Sequence, residues 1–403
     1  MLETGTKGLR PEVSNTEIEK ACQHMKNMKP IYLDYNATTP VDPQVLEAML
    51  PFLREHFGNP SSGHEYGRIS KSAIGKAKKQ VAELIGSEHS EVVFTSGGTE
   101  SNNHAIIGTA FANREKGKHI ITSQIEHPSV LETLRYLEEK FGYTITLLPV
   151  DKYGIVKLTE LEKAVTDETI LITIMHANNE VGTVEPIEEI GKIAKEHCVI
   201  FHTDAAQSCG KIPVNVDKLN VDLLTIAGHK LYAPKGIGAL YIKSGTKVDK
   251  FMHGAGQEGG RRAGTENVPY IIGLGHACEI ASSNLTSFSQ SVRKLRDRLH
   301  RNILDGLGEE KVKLNGHPEK RLPNTLNISI EGVGGEELLR QMPEIAASTG
   351  SACHAGSTEP SAVLLAMGIT RGQALGALRL SLGRWTKKDE IDEASQIIIR
   401  NVK

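Results

Sequence analysis

Short apolar runs of β type alternate with helical stretches through much of this 403-residue chain, and that alternation leaves few folds open. Glu91 to Phe94, His119 to Ser123, Tyr143 to Val150, Ile170 to Met175, Val199 to Phe201, Val221 to Ile226 and Gly236 to Ile242 read as strands. Helical stretches lie between several of them: one running through Ile107, then Leu158 to Val165 and Ile187 to Glu196. A helical crossover returns the chain to the same end of a sheet, so successive strands lie parallel and the expected class is α/β. In open sheets of that class, ligands bind just outside the carboxyl ends of the strands. The residues that follow each run are therefore where chemistry is to be sought.

Two strand ends carry complementary groups. The run to Phe201 leads into His202-Thr203-Asp204, and the run to Ile226 leads into Ala227-Gly228-His229-Lys230. Taken singly, Asp204 reads as a strand cap and Lys230 as a surface lysine. Together, with Gln207 following the acid and the Gly-His-Lys triplet intact, they match the needs of pyridoxal phosphate (PLP). That cofactor takes a lysine as its Schiff-base partner and an acid on its pyridinium nitrogen. The strand to Phe94 opens into Thr95-Ser96-Gly97-Gly98-Thr99-Glu100-Ser101 and then a helix. Backbone N–H groups converge at such a turn and the helix dipole favours an anion, which suits a phosphate. The plain alternative is an ordinary Ser/Thr cap.

Three further segments sit at comparable places. Glu126-His127-Pro128 lies in the turn that follows the run His119 to Ser123, again at a strand end. A His before Pro is usually an extended loop residue, but at this position its ring can stack on a cofactor or relay a proton. His176-Ala177-Asn178-Asn179-Glu180 follows the run to Met175. Asn both donates and accepts, which suits a phenolic oxygen or a carboxylate as well as it suits a turn. The stretch from His253 to Asn267 is too rich in glycine to pack a core and reads as a loop that approaches an anion or another subunit.

Composition narrows the partners. Charged residues make up 24% and the formal net charge is −2, which argues against nucleic acid and acidic lipid. No apolar run is long enough to span a bilayer. The five cysteines are scattered without metal-ligand spacing, which points to a reducing, cytoplasmic setting and to no metal. Residues 1–30 are polar and mix acids with bases, unlike a secretory signal or a mitochondrial presequence. After about Asn284 the rhythm changes to a long charged helix (Ser289 to Leu304), strands near Val312 and from Asn324 to Ile330, and a small-residue stretch containing Cys353. The expected division is an extension at 1–30, a segment at 31–44 packing with a small domain, a large domain at 45–285 and the small domain at 286–403.

These residues resemble one family, the PLP-dependent cysteine desulfurases of the class V aminotransferase group. TSGGTESNN, EHPSV, ANNEVG, HTDAAQ, GHKLYAPKGIGALY, RRAGTEN, GSAC and LRLSLGR occur in that order, from about Tyr32 onward to the last helix. The resemblance implies a PLP-dependent transferase fold of type I: a mostly parallel seven-stranded sheet, a smaller C-terminal α/β domain, and a site between them at a homodimer interface. It implies that Lys230 attaches the cofactor and acts as the base, and that Asp204 holds the ring nitrogen. Gln207 and Asn179 would meet the ring oxygen, His127 would stack on the ring with a catalytic role, and Gly98, Thr99 and His229 would hold the phosphate. Thr265 would reach that phosphate from the other subunit. Asn36, Asn179 and Arg379 would contact the substrate, with Arg379 gripping its carboxylate, and Cys353 would be the nucleophile. The implied reaction takes L-cysteine to L-alanine and leaves the sulfur as a persulfide for an acceptor protein, in iron–sulfur cluster or thio-cofactor biosynthesis.

The chain departs from the family's pattern in places. Ala227 stands where the family commonly has Ser, and His354 where many members have Thr. Related selenocysteine lyases look like this chain at both positions, so L-selenocysteine is the alternative substrate. The chain ends at Lys403, whereas assembly-type desulfurases often carry a longer tail that helps bind a scaffold protein.

Overall fold

The structure is a computed structural model in which residues 30–350 and 359–403 are described. Cys353 and His354 lie outside the described residues, as does the extension up to residue 29. The strands, in chain order, are β1 (Ile31–Tyr32), β2 (Val92–Thr95), β3 (His119–Ser123), β4 (Thr144–Leu148), β5 (Thr169–Thr173) and β6 (Ile200–Asp204). They continue as β7 (Leu223–Ala227), β8 (Gly238–Ile242), β9 (Val312–Asn315), β10 (Thr325–Ile330), β11 (Ile345–Ala346) and β12 (Ala377–Ser381).

Seven strands form one sheet in the order β2-β8-β7-β6-β5-β3-β4. The five from β7 to β4 are mutually parallel, while β8 runs antiparallel to both β7 and β2. The α/β class and the mostly parallel seven-stranded sheet therefore agree with expectation. The connection from β7 to β8 explains the one reversal. It is a 3-10 turn at Gly228–Lys230 and a short loop, with no crossover helix to return the chain. Gly228 is required there, since a Cβ on it would stand 2.8 Å from the carbonyl oxygen of Ile237.

Adjacent strand residues feed different cores, as the pleat demands. Ile121, Ile172, Phe201 and Leu224 point into the largest apolar cluster. Their neighbours Ile120 and Leu171 belong to a second cluster with Ile106, Leu134 and Leu137, and Leu223 to a third with Val93 and Leu240. A sheet buried on both faces reads in sequence as continuous apolar runs, which is why periodicity alone would not have resolved it.

A second, antiparallel sheet has the order β12-β10-β9 and its own cluster around Leu299, Ile328, Leu380 and Ile391. β1 joins that part of the molecule by pairing in parallel with β11, Ile31 opposite Ile345, and Ile31 and Leu33 enter the same cluster. One difference from expectation stands out. Pro269 to Ser282 and Ser289 to Leu304 are not two helices but parts of one 40-residue helix, Val268–Leu307, so residue 285 falls inside it. The polar stretch between them contains no Gly or Pro. Ser283 Oγ and Asn284 Nδ2 instead donate back to the carbonyls of Glu279 and Ile280, and the helix continues through. Its first half packs Leu274 and Cys278 into the large core, its second half Leu299 and Ile303 into the small one.

No helix among the described residues is long and apolar enough to cross a membrane. Phe201 has no exposed surface and sits mid-strand in the sheet. Phe201→Ala is expected to destabilise the protein by about 3–5 kcal/mol, read as a lowered midpoint in urea unfolding.

Candidate active site

The carboxyl ends of β3, β5, β6 and β7 converge, and with them the segments carrying His127, Asn179, Asp204 and Lys230. β6 and β7 are adjacent and in register, with Asp204 opposite Thr225, so Asp204 and Lys230 leave the sheet at the same edge. Asp204 is buried. Its Oδ2 accepts from Asn102 Nδ2 at 2.7 Å, and its Oδ1 from the backbone N–H of Ala206 at 2.9 Å. Asn102 also donates to Ser129 Oγ, at 2.8 Å, and Ser129 in turn holds His127. The Nδ1 of His127 accepts the backbone N–H of Ser129 at 3.1 Å, which leaves Nε2 to carry the proton of a neutral ring. Burial lowers the proton affinity of that imidazole; the Asp204 charge opposes the effect and the Lys230 charge adds to it.

Lys230 Nζ donates to the carbonyls of Asn36 and Ala37, each at 2.6 Å. The Asn36 carbonyl also accepts from Gln207 Nε2 at 3.0 Å. The side chain of Asn36 is engaged as well: Nδ2 donates to Thr325 Oγ1 and to the Asn179 carbonyl, and Oδ1 accepts from Asn324. At 1% exposure, that amide ties β10 to the strand-end segments. Burial, followed by the Lys230 charge, pushes His229 down to about 4, and its Nδ1 lies 3.2 Å from Thr38 Oγ1.

Arg379 on β12 enters from the second sheet and is 2% exposed. One terminal nitrogen donates to Asp34 Oδ1 at 2.8 Å; the other donates to the carbonyls of Asn179 and Gly350, each at 3.2 Å. Its Nε is buried without a partner among the described residues. Three of the five N–H groups of this buried guanidinium are thus spent on one carboxylate and two carbonyls, which leaves Nε and one terminal N–H to offer an anion. Gly350 is the last described residue before the segment that contains Cys353.

Gly98 and Thr99 open the helix Gly98–Ala112, whose cap residue Gly97 supplies no side-chain hydrogen bond. Uncapped N–H groups at a helix start form an anion site. Gly98 packs so closely on the end of β7 that a Cβ would lie 3.2 Å from that of Ala227. Thr265 is exposed and, within one chain, lines a separate cavity of about 170 Å³ with Ser96 and Arg262. A larger cavity of about 770 Å³ opens beside Thr99 and His127 and is walled by Ile107, Phe111, Tyr136 and Phe251.

A buried strand-end acid, a lysine at the neighbouring strand end, an amide that shares the Asn36 carbonyl with that lysine and an uncapped helix start together fit PLP, which needs an attachment, an acid and a phosphate cradle. The chain belongs to the class-V aminotransferase family, whose model matches residues 31–394. Within it, its place is among the PLP-dependent cysteine desulfurases. It is 53% identical over 373 residues to the cysteine desulfurase IscS of Methanosarcina thermophila, covering 92% of this chain and 91% of that one. A solved NifS-like protein superposes with a TM-score of 0.86 at 39% identity, covering 92% and 98% of the two chains. SspA, solved in complex with cysteine, gives a TM-score of 0.78 at 40% identity over 87% and 98%.

Sequence reasoning missed Asn102, Asp34 and Lys211. Asn102 could have been found from its place one turn into the helix after the Gly-Gly pair, facing the sheet. Asp34 and Lys211 carry no local signal, because their partners are distant in sequence. Glu126 was passed over as well. Its Oε1 accepts from Ser123 Oγ at 2.6 Å and from the backbone N–H of Met175 at 3.0 Å, which ties the ends of β3 and β5 together. Burial chiefly, with the Asp204 charge adding, pushes this acid up to about 8. Its ordinary value is near 4.5, so the stability carried by the protonated acid is complete below that and is lost as pH climbs toward about 8. Glu126→Gln keeps the acceptor and removes the ionisation. Thermal unfolding midpoints followed from pH 5 to about 9 are expected to fall less steeply in the variant; parallel slopes would show that Glu126 does not titrate with folding.

Proposed function

We propose that the chain converts L-cysteine to L-alanine and retains the sulfur as a persulfide on Cys353 for transfer to an acceptor protein. The observation that carries the reading is that Asp204 and Lys230 leave one edge of the large sheet while Arg379 enters from the second sheet, one group for each of ring, attachment and carboxylate. Bound PLP supplies an electron sink that weakens bonds at the substrate's α-carbon. Lys230 is placed to hold the cofactor and to carry a proton on Nζ. Asp204, fixed by Asn102 and the Ala206 N–H, presents a negative charge to the ring nitrogen. His127, neutral and oriented by Ser129, supplies a stacking face and one N–H. Asn179 and Gln207 offer amides to the ring oxygen, and the helix start at Gly98 and Thr99, with His229, holds the phosphate. Arg379 orients the substrate through its carboxylate, as a fork suits. The Cys353 thiolate then attacks the substrate's Sγ: the S–S bond forms as the Cβ–Sγ bond breaks, the bonding pair stays with the carbon skeleton, Cβ and Cα each take up a proton, and the skeleton leaves as alanine.

The working unit is proposed to be a homodimer in the cytoplasm. Thr265 lines a cavity away from the Asp204–Lys230 cluster of its own chain, and the apolar-walled cavity beside Thr99 and His127 offers a second copy a surface to cover. In that dimer Thr265 of one copy would reach the phosphate of the other. We place the large domain at 45–285 and the small one at 286–403, sharing the helix Val268–Leu307, with 31–44 joined to the small domain. The acceptor would serve iron–sulfur cluster or thio-cofactor assembly.

The test is release of alanine and sulfide from L-cysteine with dithiothreitol, comparing the intact enzyme with Cys353→Ala, and L-selenocysteine run in parallel. Turnover of cysteine that drops by about a thousandfold or more in the variant is expected if nucleophilic sulfur transfer is the route. Turnover of selenocysteine alone would make the enzyme a selenocysteine lyase.

A further inference from the structure

Lys211 follows the turn after β6, takes no part in the mechanism above and is 4% exposed. Its Nζ donates to Gln207 Oε1 at 2.8 Å. On the other side of the same amide, Gln207 Nε2 donates to the Asn36 carbonyl at 3.0 Å, the carbonyl that also accepts from Lys230 Nζ. In its ammonium form, which its lowered proton affinity confines to pH below about 7, Lys211 can only donate, and a carbonyl can only accept. These two neighbours therefore permit one orientation of the amide. Turned over, it would set an NH2 against an ammonium and an oxygen against a carbonyl, losing two buried hydrogen bonds at once. Gln207 is itself only 6% exposed, so water does not replace either bond.

We propose that Lys211 is a positioning residue that fixes Gln207 as a hydrogen-bond donor toward the ring oxygen of the cofactor. The inference rests on the reading that Gln207 meets that oxygen. The amide NH2 has two hydrogens; Asn36 takes one, and the other is directed by the same constraint. A donor at the ring oxygen stabilises its anionic form and lowers its proton affinity. Without Lys211 only the Asn36 carbonyl still opposes a turn, and the fraction of amide that turns offers its own oxygen, which has the opposite effect.

The charged and titratable groups that face Lys211 are Lys230, Arg379 and Cys209, with His229 near; Arg384 and Tyr232 line the same crevice. Burial first, then the Lys230 and Arg379 charges, push Lys211 down to about 7. A direct charge effect on Lys230 would shift the cofactor's titration in the same direction as a turned amide, so the test must separate the two.

The test is the pH titration of the cofactor's visible absorbance band in the loaded enzyme, for wild type, Lys211→Met, Lys211→Arg, Gln207→Leu and the Lys211→Met/Gln207→Leu double variant. Lys211→Met is expected to raise the midpoint by about one pH unit, a tenfold change in proton affinity. Gln207→Leu should raise it by at least as much, and the double variant should match Gln207→Leu alone. Lys211→Arg, which keeps the donor, should stay near wild type. A midpoint unmoved by Lys211→Met but moved by Gln207→Leu overturns the inference and leaves the reading of Gln207 intact. Additive shifts in the double variant overturn it too, since Lys211 would then act by its charge. No shift with Gln207→Leu would remove Gln207 from the ring oxygen, and the inference with it.

Discussion

The parallel pairing of β6 with β7 is the constraint from which the rest of the site follows. Because Asp204 lies opposite Thr225, the acid and the lysine-bearing turn emerge side by side, with no loop search needed to bring them together. The neighbouring parallel strands β5 and β3 add Asn179 and His127 at the same edge. A shift of one residue in this register would turn Asp204 to the opposite face of the sheet, and the sheet's two buried faces make such a shift costly. The geometry of the candidate site is thus a by-product of the hydrophobic pattern that fixes the register.

The second constraint is the short segment from Asp34 to Thr39, which runs between the two sheets. Asp34 pairs with Arg379, and the Asn36 side chain binds Thr325 and Asn324. The Asn36 carbonyl accepts from both Gln207 and Lys230, and Thr39 N–H donates to the carbonyl of His229. Groups from the large sheet and the small one are thereby held against one strip of backbone. Removing Asp34 would leave the buried Arg379 guanidinium without its carboxylate, so neither residue can be changed alone without disturbing the other's surroundings.

Much of this was legible in the sequence, for physical reasons that differ from residue to residue. The placement of Asp204 and Lys230 at neighbouring strand ends was legible because apolar runs mark where strands stop. The helix start at Gly98 was legible because a Gly-Gly turn after an apolar run marks the end of a strand and the opening of a helix. The unbroken helix Val268–Leu307 was not, since Ser and Asn residues that usually interrupt helices here bond back to their own turn. Lys211, Asp34 and Asn102 were opaque because each matters through a partner brought near only by the fold. Asn36 was read as a substrate contact, and the structure finds its amide bound on both ends by protein. The part played by Cys353 came from resemblance, and its position lies outside the described residues.

The central claim is that Lys230, rather than the buried Lys211 that lines the same crevice, carries the cofactor. Borohydride reduction of the PLP-loaded enzyme, followed by proteolysis and peptide mass spectrometry, tests it directly. The account predicts the reduced pyridoxyl phosphate mass on the peptide containing Lys230 and none on that containing Lys211. Label on Lys211, or label scattered over surface lysines, would contradict it.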